Sequence, residues 1–307
     1  MAPTRAVTVD ERSAGMRADV YLSLRFDWSR TRAAQAIKAG DVVSSTRTLK
    51  PSSLLAAGEV LTMELPDFQA DAPRPPCPPV LHEDPRCLAF DKPAGLLMHP
   101  VGRQFTWGLI NLAREAYPDE ELHLAHRLDR ETSGVCVVAR DAEANRHFKA
   151  AFKARETEKT YLAIVRGVPQ LDGEVLIDAP IGDDEASPIR LKRAVRPDGQ
   201  SARTRVRLLS AHGELALVAC VPETGRTHQI RVHLDHLGHP ILGDKIYGQP
   251  PEIFLRLYAG QPLGELEEAL AHPRHCLHAA RLRIPHPKGG MLEIESPLPP
   301  DFDEVLS

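Results

Sequence analysis

One short stretch constrains this chain more than any other: PDFQADAPRPPCPP, residues 66–79, carries prolines at 66, 73, 75, 76, 78 and 79. Proline offers no amide donor and holds a single φ, so neither a helix nor a central strand passes through such a run. The fold is therefore expected to break here, into a small module over 1–65, a linker over 66–79 and a large domain over 80–307. A chain of 307 residues has room for two hydrophobic cores. No fixed period repeats on either side of the break.

Composition narrows the class. With 42% hydrophobic and 26% charged residues the chain reads as an ordinary soluble globular protein. Its net charge of −4 does not announce a nucleic-acid binder, so any basic surface must be local. The cysteines, at 77, 87, 136, 220 and 276, are scattered and never form C-x-x-C. That argues against a disulfide framework and a structural zinc, and suits a reducing compartment. The start, MAPTRAVTVDERSAG, has no apolar signal-type core, and no apolar run reaches the roughly 18 residues of a membrane helix. A cytoplasmic protein without a membrane partner is expected.

Before the linker, RADVYLSLRF places Val20, Tyr21 and Leu24 at helical spacing. SRTRAAQAIKAG follows as a second helix, with Ser29 as N-cap, Ala33, Ala36 and Ile37 on one face and Gly40 as the stop. DVV and EVLTMEL read as short strands. Between 17 and 50, seven basic residues (17, 25, 30, 32, 38, 47 and 50) stand against three acidic ones, a local +4. Such asymmetry suits a phosphate backbone, and it equally suits a merely solvated basic face.

Beyond the linker, CLAFDKPAGLLMHP runs from an apolar strand into a Lys92-Pro93-Ala94-Gly95 turn. Val135–Ala139 reads as a buried strand, Asp141 as the cap of a helix bearing Phe148 and Phe152, and TYLAIVRG as a further strand. Residues 215–248 supply a strand, a PETG turn and a helix over RTHQIRVHLDHLG, with Ile230, Leu234 and Leu237 on one face. Arg226 stands at that helix entrance and Arg231 a turn further in. Strands and helices interleave without a strict β-α-β rhythm. The expected class is α+β, with a mixed, mainly antiparallel sheet in the large domain.

The chemistry centres on HRLDRETSG, residues 126–134. Asp129 lies between two arginines at the entrance of a strand. Nearby positive charge keeps a carboxylate ionised, which fits a nucleophile or base and not a general acid at neutral pH. The alternative is a plain surface ion pair. The histidines at 228, 233, 236 and 239 crowd one helix but match no H-E-x-x-H pattern, so no metal is expected there. Ser133 has no evident histidine base beyond His126, and no G-x-S-x-G, G-x-x-x-x-G-K-[ST] or G-x-G-x-x-G occurs. The chemistry is expected to need side chains alone, with no cofactor.

Four stretches in order, DKPAGLLMHP, HRLDRETSG, KTYLAIVRG and ETGRTHQIRVHLDHLGHPILGDKIYG, resemble the RluA family of pseudouridine synthases over residues 80–297. Ser29, Arg30, Ala33, Ile37 and Gly40, followed by Val42, Lys50 and Gly58, resemble an S4 RNA-binding module. Ser45-Thr46 stands where such modules usually turn with Asn-Gly.

The resemblance implies a base-flipping isomerase of structured RNA. Asp129 would be the essential carboxylate, and Tyr161 the base-stacking tyrosine. Arg226 would pair with the carboxylate, and Arg127 would fill the gap left in the RNA stack. Arg30, Arg32 and Lys38 of the small module and Arg190, Lys192 and Arg193 of the large domain are the expected phosphate contacts. Large-subunit ribosomal RNA is the expected substrate, transfer RNA the second, and the protein is expected to act as a monomer. Two other classes compete: a non-catalytic RNA-binding or ribosome-assembly protein on the same fold, and a metal-dependent hydrolase built on the histidine helix.

Overall fold

The computed structural model describes residues 4–26, 30–64, 74–99, 107–259, 261–262, 264 and 267–307. Ser29, most of the proline stretch and the side chain of Arg32 lie outside the described residues. The chain divides into two compact units, Met1–Cys77 with Leu97–Leu112, and Pro78–Leu96 with Ala113–Ser307.

In the first unit, strand β1 (Thr4–Thr8) precedes helices α1 (Ala18–Phe26) and α2 (Arg30–Ala39), and strands β2 (Val42–Ser44) and β3 (Val60–Glu64) follow. The strands form one antiparallel sheet in the order β1-β3-β2. Tyr21 and Leu22 of α1 and Ala33 and Ile37 of α2 close against Leu61 and Met63 of β3, which makes the core of this unit. No tight hairpin joins β2 to β3. The link runs over residues 45–59 and is tied back by Glu59, which accepts bonds from the Ser44 hydroxyl (2.6 Å), the Ala56 amide (2.9 Å) and Arg47 Nη2 (2.9 Å). A Ser-Thr pair tolerates positive φ poorly, so this chain replaces a two-residue turn with a wide, side-chain-pinned loop.

The second unit is built on a ten-stranded sheet. Its strands are β4 (Val80–Glu83), β5 (Cys87–Lys92), β6 (His123–Leu124), β7 (Ser133–Ala139), β8 (Glu158–Arg166), β9 (Glu174–Asp178), β12 (Arg203–His212), β13 (Leu215–Pro222), β14 (Leu277–Pro285) and β15 (Met291–Glu295). β10 (Ile181–Asp183) and β11 (Arg193–Val195) make a separate hairpin. The main path runs β4-β5-β7-β14-β8-β13-β12-β9, with β6 on β7 and β15 on β14. Every pairing is antiparallel except β7 with β14, so the sheet is mixed and mainly antiparallel, as expected.

The remaining helices are α3 (Leu109–Ala116), α4 (Ala142–Ala154), α5 (Gln229–His236), α6 (Pro251–Tyr258), α7 (Glu267–Leu270) and α8 (Pro300–Leu306). Asp141 caps α4 by accepting the Ala144 amide at 2.8 Å, and Phe148 is fully buried beneath it. β7 is buried along its whole length, as a strand covered on both faces must be.

Candidate active site

The stretch Ala125–Thr132 links β6 to β7 and is held from below. Leu128 is buried, the Thr132 amide donates to the Asp129 carbonyl (3.2 Å), and Thr132 Oγ1 lies 2.8 Å from His275 Nε2. Lys92, at the end of β5, donates to three carbonyls: Pro93 (2.9 Å), Leu96 (2.8 Å) and Arg130 (3.1 Å). Its charge is thereby spent on clamping the Lys92–Gly95 turn to the loop that carries Asp129. Burial pulls its ammonium down to about 7, with Cys136 and the Asp129 carboxylate pulling the other way.

Asp129 emerges from this support with its side chain 37% exposed. Arg231 Nη1 donates to Oδ2 at 3.2 Å, and His228 Nε2 faces the same oxygen at 3.9 Å. Burial opposes ionisation, but the Arg231 guanidinium, helped by His228 and His275, outweighs it and holds the carboxyl below the ordinary range. Arg231 is itself fixed: it grips Asp244 through Nε–Oδ2 (2.6 Å) and Nη2–Oδ1 (2.8 Å), and its guanidinium lies 5.0 Å from the centre of the Tyr247 ring. Asp244 Oδ1 also accepts the amides of Ile246 (2.9 Å) and Tyr247 (3.1 Å). This fork-to-fork pairing leaves one guanidinium nitrogen aimed at Asp129.

The expected partner of Asp129 was Arg226, and here the structure differs. Arg226 donates to the Ser201 carbonyl and the Gln200 amide oxygen, each at 3.0 Å, and Arg231 holds the carboxylate instead. The cause is where α5 starts. His228 adopts a left-handed backbone (φ 57°) and ends the turn, so the helix begins at Gln229 and not at Arg226. Gln229 organises that turn, its Oε1 accepting the Thr224 hydroxyl (2.6 Å) and the Arg226 amide (3.0 Å). Arg231 then falls on the buried side of the first turn.

His228 is neutral at ordinary pH, pushed down to about 4 by burial and then by Arg231. The Tyr247 hydroxyl accepts the Arg193 amide at 3.0 Å and is hydrogen-bonded to His228 Nδ1 at 2.9 Å. The other ring nitrogen, Nε2, is the one that faces Asp129. Tyr161, half-buried on β8, lies within electrostatic reach of the same carboxylate. Burial first and the Asp129 charge second push its phenol well above the usual range, so it stays protonated.

Two other histidines of this region have separate partners: His233 Nδ1 with Thr204 Oγ1 and its Nε2 with the Ala179 carbonyl, and His239 Nδ1 with the Arg166 carbonyl, each at 2.9 Å. His126 Nε2 accepts the Val137 amide at 3.0 Å and is spent structurally. Ser133 does have a histidine, His278, at 2.9 Å, a neighbour the sequence distance concealed. Both side chains are buried where β7 and β14 pair.

Arg127 is exposed on the Asp129 loop, and Arg190 is exposed in the segment before β11. Lys192 and Arg193 face acidic neighbours, Asp184 at 3.5 Å and Asp183 in close contact. In the first unit, Lys38 is exposed and Arg30 reaches Asp19 at 3.3 Å. Arg231, Asp244, His228 and Tyr247 were not among the expected site residues. The signal for the first was its place one turn inside α5, on the face that the start at Gln229 turns inward.

Comparison with known proteins places the chain in a family. The RNA pseudouridylate synthase family matches residues 86–236. The ribosomal large subunit pseudouridine synthase D of Xanthomonas campestris pv. campestris is 36% identical over 99% of this chain and 92% of its own length. The protein of the same name in Pseudomonas aeruginosa is 35% identical over 99% and 95%. Among solved structures, human RNA pseudouridylate synthase domain containing 4 superposes with a TM-score of 0.58 at 30% identity, covering 74% of this chain and 91% of its own. With that identity along nearly the whole length, the chain belongs to the RNA pseudouridylate synthase family, as an isomerase of the RluA type.

Proposed function

We propose that this enzyme converts uridines of large-subunit ribosomal RNA to pseudouridine in the cytoplasm, acting as a monomer, with Asp129 as its catalytic carboxylate. The substrate is inferred from the printed names of relatives that match the chain along nearly its full length. The observation that carries the assignment of Asp129 is its half-exposed carboxylate on an arginine that is locked elsewhere. Nothing needs to rearrange to keep it charged and aimed, which is what preorganised catalysis requires.

The uridine is flipped out of the RNA, at a cost of a few kcal/mol in lost stacking. Arg127, exposed beside Asp129, fills the vacated place, and the Tyr161 ring offers a platform worth about 1–3 kcal/mol. Asp129 then acts on the ribose, attacking C1′ or taking a proton from C2′; both routes start from the ionised carboxylate. The N1–C1′ bond breaks, the base turns, and C5–C1′ forms as the Asp129–C1′ ester bond breaks, or, on the other route, as Asp129 returns its proton to C2′; the C5 proton then leaves to solvent as N1 gains one. Tyr161, kept protonated, serves this step as a hydroxyl and not as a phenolate. Arg30, Arg32, Lys38, Arg190, Lys192 and Arg193 supply phosphate contacts, which set position and not sequence. Large-subunit RNA from cells lacking the protein is the test substrate: the wild type is expected to form pseudouridine on it, and Asp129→Asn none. Conversion by the Asn variant would refute the assignment.

A further inference from the structure

The sequence suggested no metal, yet away from the active site three side chains of metal-ligating type converge where β4 turns into β5, and a fourth, His286, reaches the aspartate among them. His82 Nε2 lies 2.6 Å from Asp84 Oδ2, His286 Nε2 3.1 Å and Cys87 Sγ 3.5 Å from the same oxygen. The donor atoms of His82, Asp84 and Cys87 all fall within 4.8 Å of one another. His82 comes from β4, Asp84 from the turn and Cys87 from the first position of β5. His286 arrives from the chain just past β14.

An ordinary turn explains half of this. Asp84 Oδ1 accepts the amides of Arg86 (2.6 Å) and Cys87 (3.0 Å), which is all a capping aspartate has to do. It leaves Oδ2 with two imidazoles and a thiol around it. His286 Nε2 is buried and forms no hydrogen bond of acceptable geometry, despite its closeness to that oxygen. A buried polar atom left in that state calls for an explanation.

We propose that His82, Asp84, Cys87 and His286 form a zinc site that fastens the β4–β5 turn to the end of β14. Two imidazoles, a carboxylate and a thiolate are a tetrahedral zinc set, and the sulfur and nitrogen donors disfavour magnesium and calcium. Zinc bonds of about 2.0–2.3 Å place tetrahedral ligand atoms about 3.3–3.8 Å apart. The Cys87–Asp84 separation is already in that range, His82 needs to move outward from Asp84 by less than about 1 Å, and His286, next to Asp84 but outside the mutual group of the other three, has to swing in to complete the set. The thiolate and carboxylate neutralise the ion, so no charge is stranded. Binding releases the Cys87 proton and forms the S–Zn bond. It also shifts the proton of each imidazole to Nδ1, which frees the exposed Lys288 amide from His286 to water. The Oδ1 bonds already hold the carboxylate in orientation, the support that ligands of a built site receive. With all four positions filled by protein, the site is structural and leaves no place for substrate.

The purified full-length enzyme, titrated with Co²⁺ and then Zn²⁺, tests this. One cobalt per chain is expected, with intense visible bands of tetrahedral coordination and a near-ultraviolet sulfur-to-cobalt band, both removed by zinc. Cys87→Ser is expected to abolish the sulfur band while Cys77→Ser keeps it. His82→Gln, a change at a partly exposed ring, is expected to weaken binding at least about tenfold without unfolding the protein. Zinc is expected to raise the Tm of the wild type and not of His82→Gln. A weak octahedral spectrum, or a sulfur band that survives in Cys87→Ser, overturns the proposal, as does affinity unchanged in His82→Gln.

Discussion

Arg226 and Arg231 flank the first turn of one helix, and their side chains do opposite things. Arg226 holds a loop through Gln200 and Ser201, whereas Arg231 bridges a buried aspartate to the proposed catalytic one. Arg231→Lys keeps a charge but cannot match the two-point grip on Asp244. It is expected to lower kcat at least about 100-fold, the scale of a misplaced catalytic group. The acid limb of its rate profile should also move to higher pH, because the carboxyl loses the hydrogen bond of a guanidinium fixed beside it and keeps only a mobile ammonium. Arg226→Ala is expected to keep most of kcat and leave that limb in place. Single-turnover rates across pH on both variants decide, and the opposite ranking would return the pairing role to Arg226. The candidate carboxylate and tyrosine could be read from motifs, since each is a single residue in a short local pattern, one on the loop before β7 and one on β8. Its partner could not, because a helix start displaced within one turn exchanges which arginine points inward.

At the scale of elements, β7 shows why the Thr132-Ser133-Gly134 turn has its composition. Gly134 has φ 106°, and a Cβ there would overlap the backbone of Ala279 where β7 meets β14 in the sheet's one parallel pairing. Only glycine meets both conditions. Gly134→Ala is expected to cost at least about 1–3 kcal/mol for the strained backbone alone. Urea unfolding measures it, and a variant within experimental error of wild type would show that β14 yields. The strand itself was legible as the apolar run VCVVA, because burial on both faces leaves a continuous hydrophobic signature. Its partner was not: β14 pairs with β7 from more than a hundred residues away, and no local pattern carries that register. The same distance hid His278 from Ser133.

Across the whole molecule, acid should act through histidines as well as carboxylates. Burial pushes His126 and His275 down to about 3 and His228 to about 4. Unfolding restores each to its ordinary value near 6.5, so between those limits the unfolded chain binds more protons than the folded one. Their contribution to stability is therefore complete above pH 6.5 and is lost progressively as pH falls toward 3. Glu59, held down to about 2 mainly by Arg47, adds a loss between pH 4.5 and 2. Urea midpoints are expected to begin falling just below pH 6.5, and a flat profile down to pH 5 would contradict this picture of the buried histidines. Among the described residues no helix is long and apolar enough to cross a membrane.

The α+β class, the mainly antiparallel sheet and the family were all legible before folding, because they rest on local periodicity and on short motifs kept in order. The motifs also marked Asp129, Tyr161 and Arg127 as candidates. It took the folded chain to show that Arg231 and not Arg226 holds Asp129, that Lys92 donates to three carbonyls, and that His82, Cys87 and His286 meet at one oxygen of Asp84. The physical reason is the same each time. Directed, short-range bonds depend on which atoms the folded sheet brings within about 3 Å, and sequence spacing along a chain that doubles back on itself does not encode that.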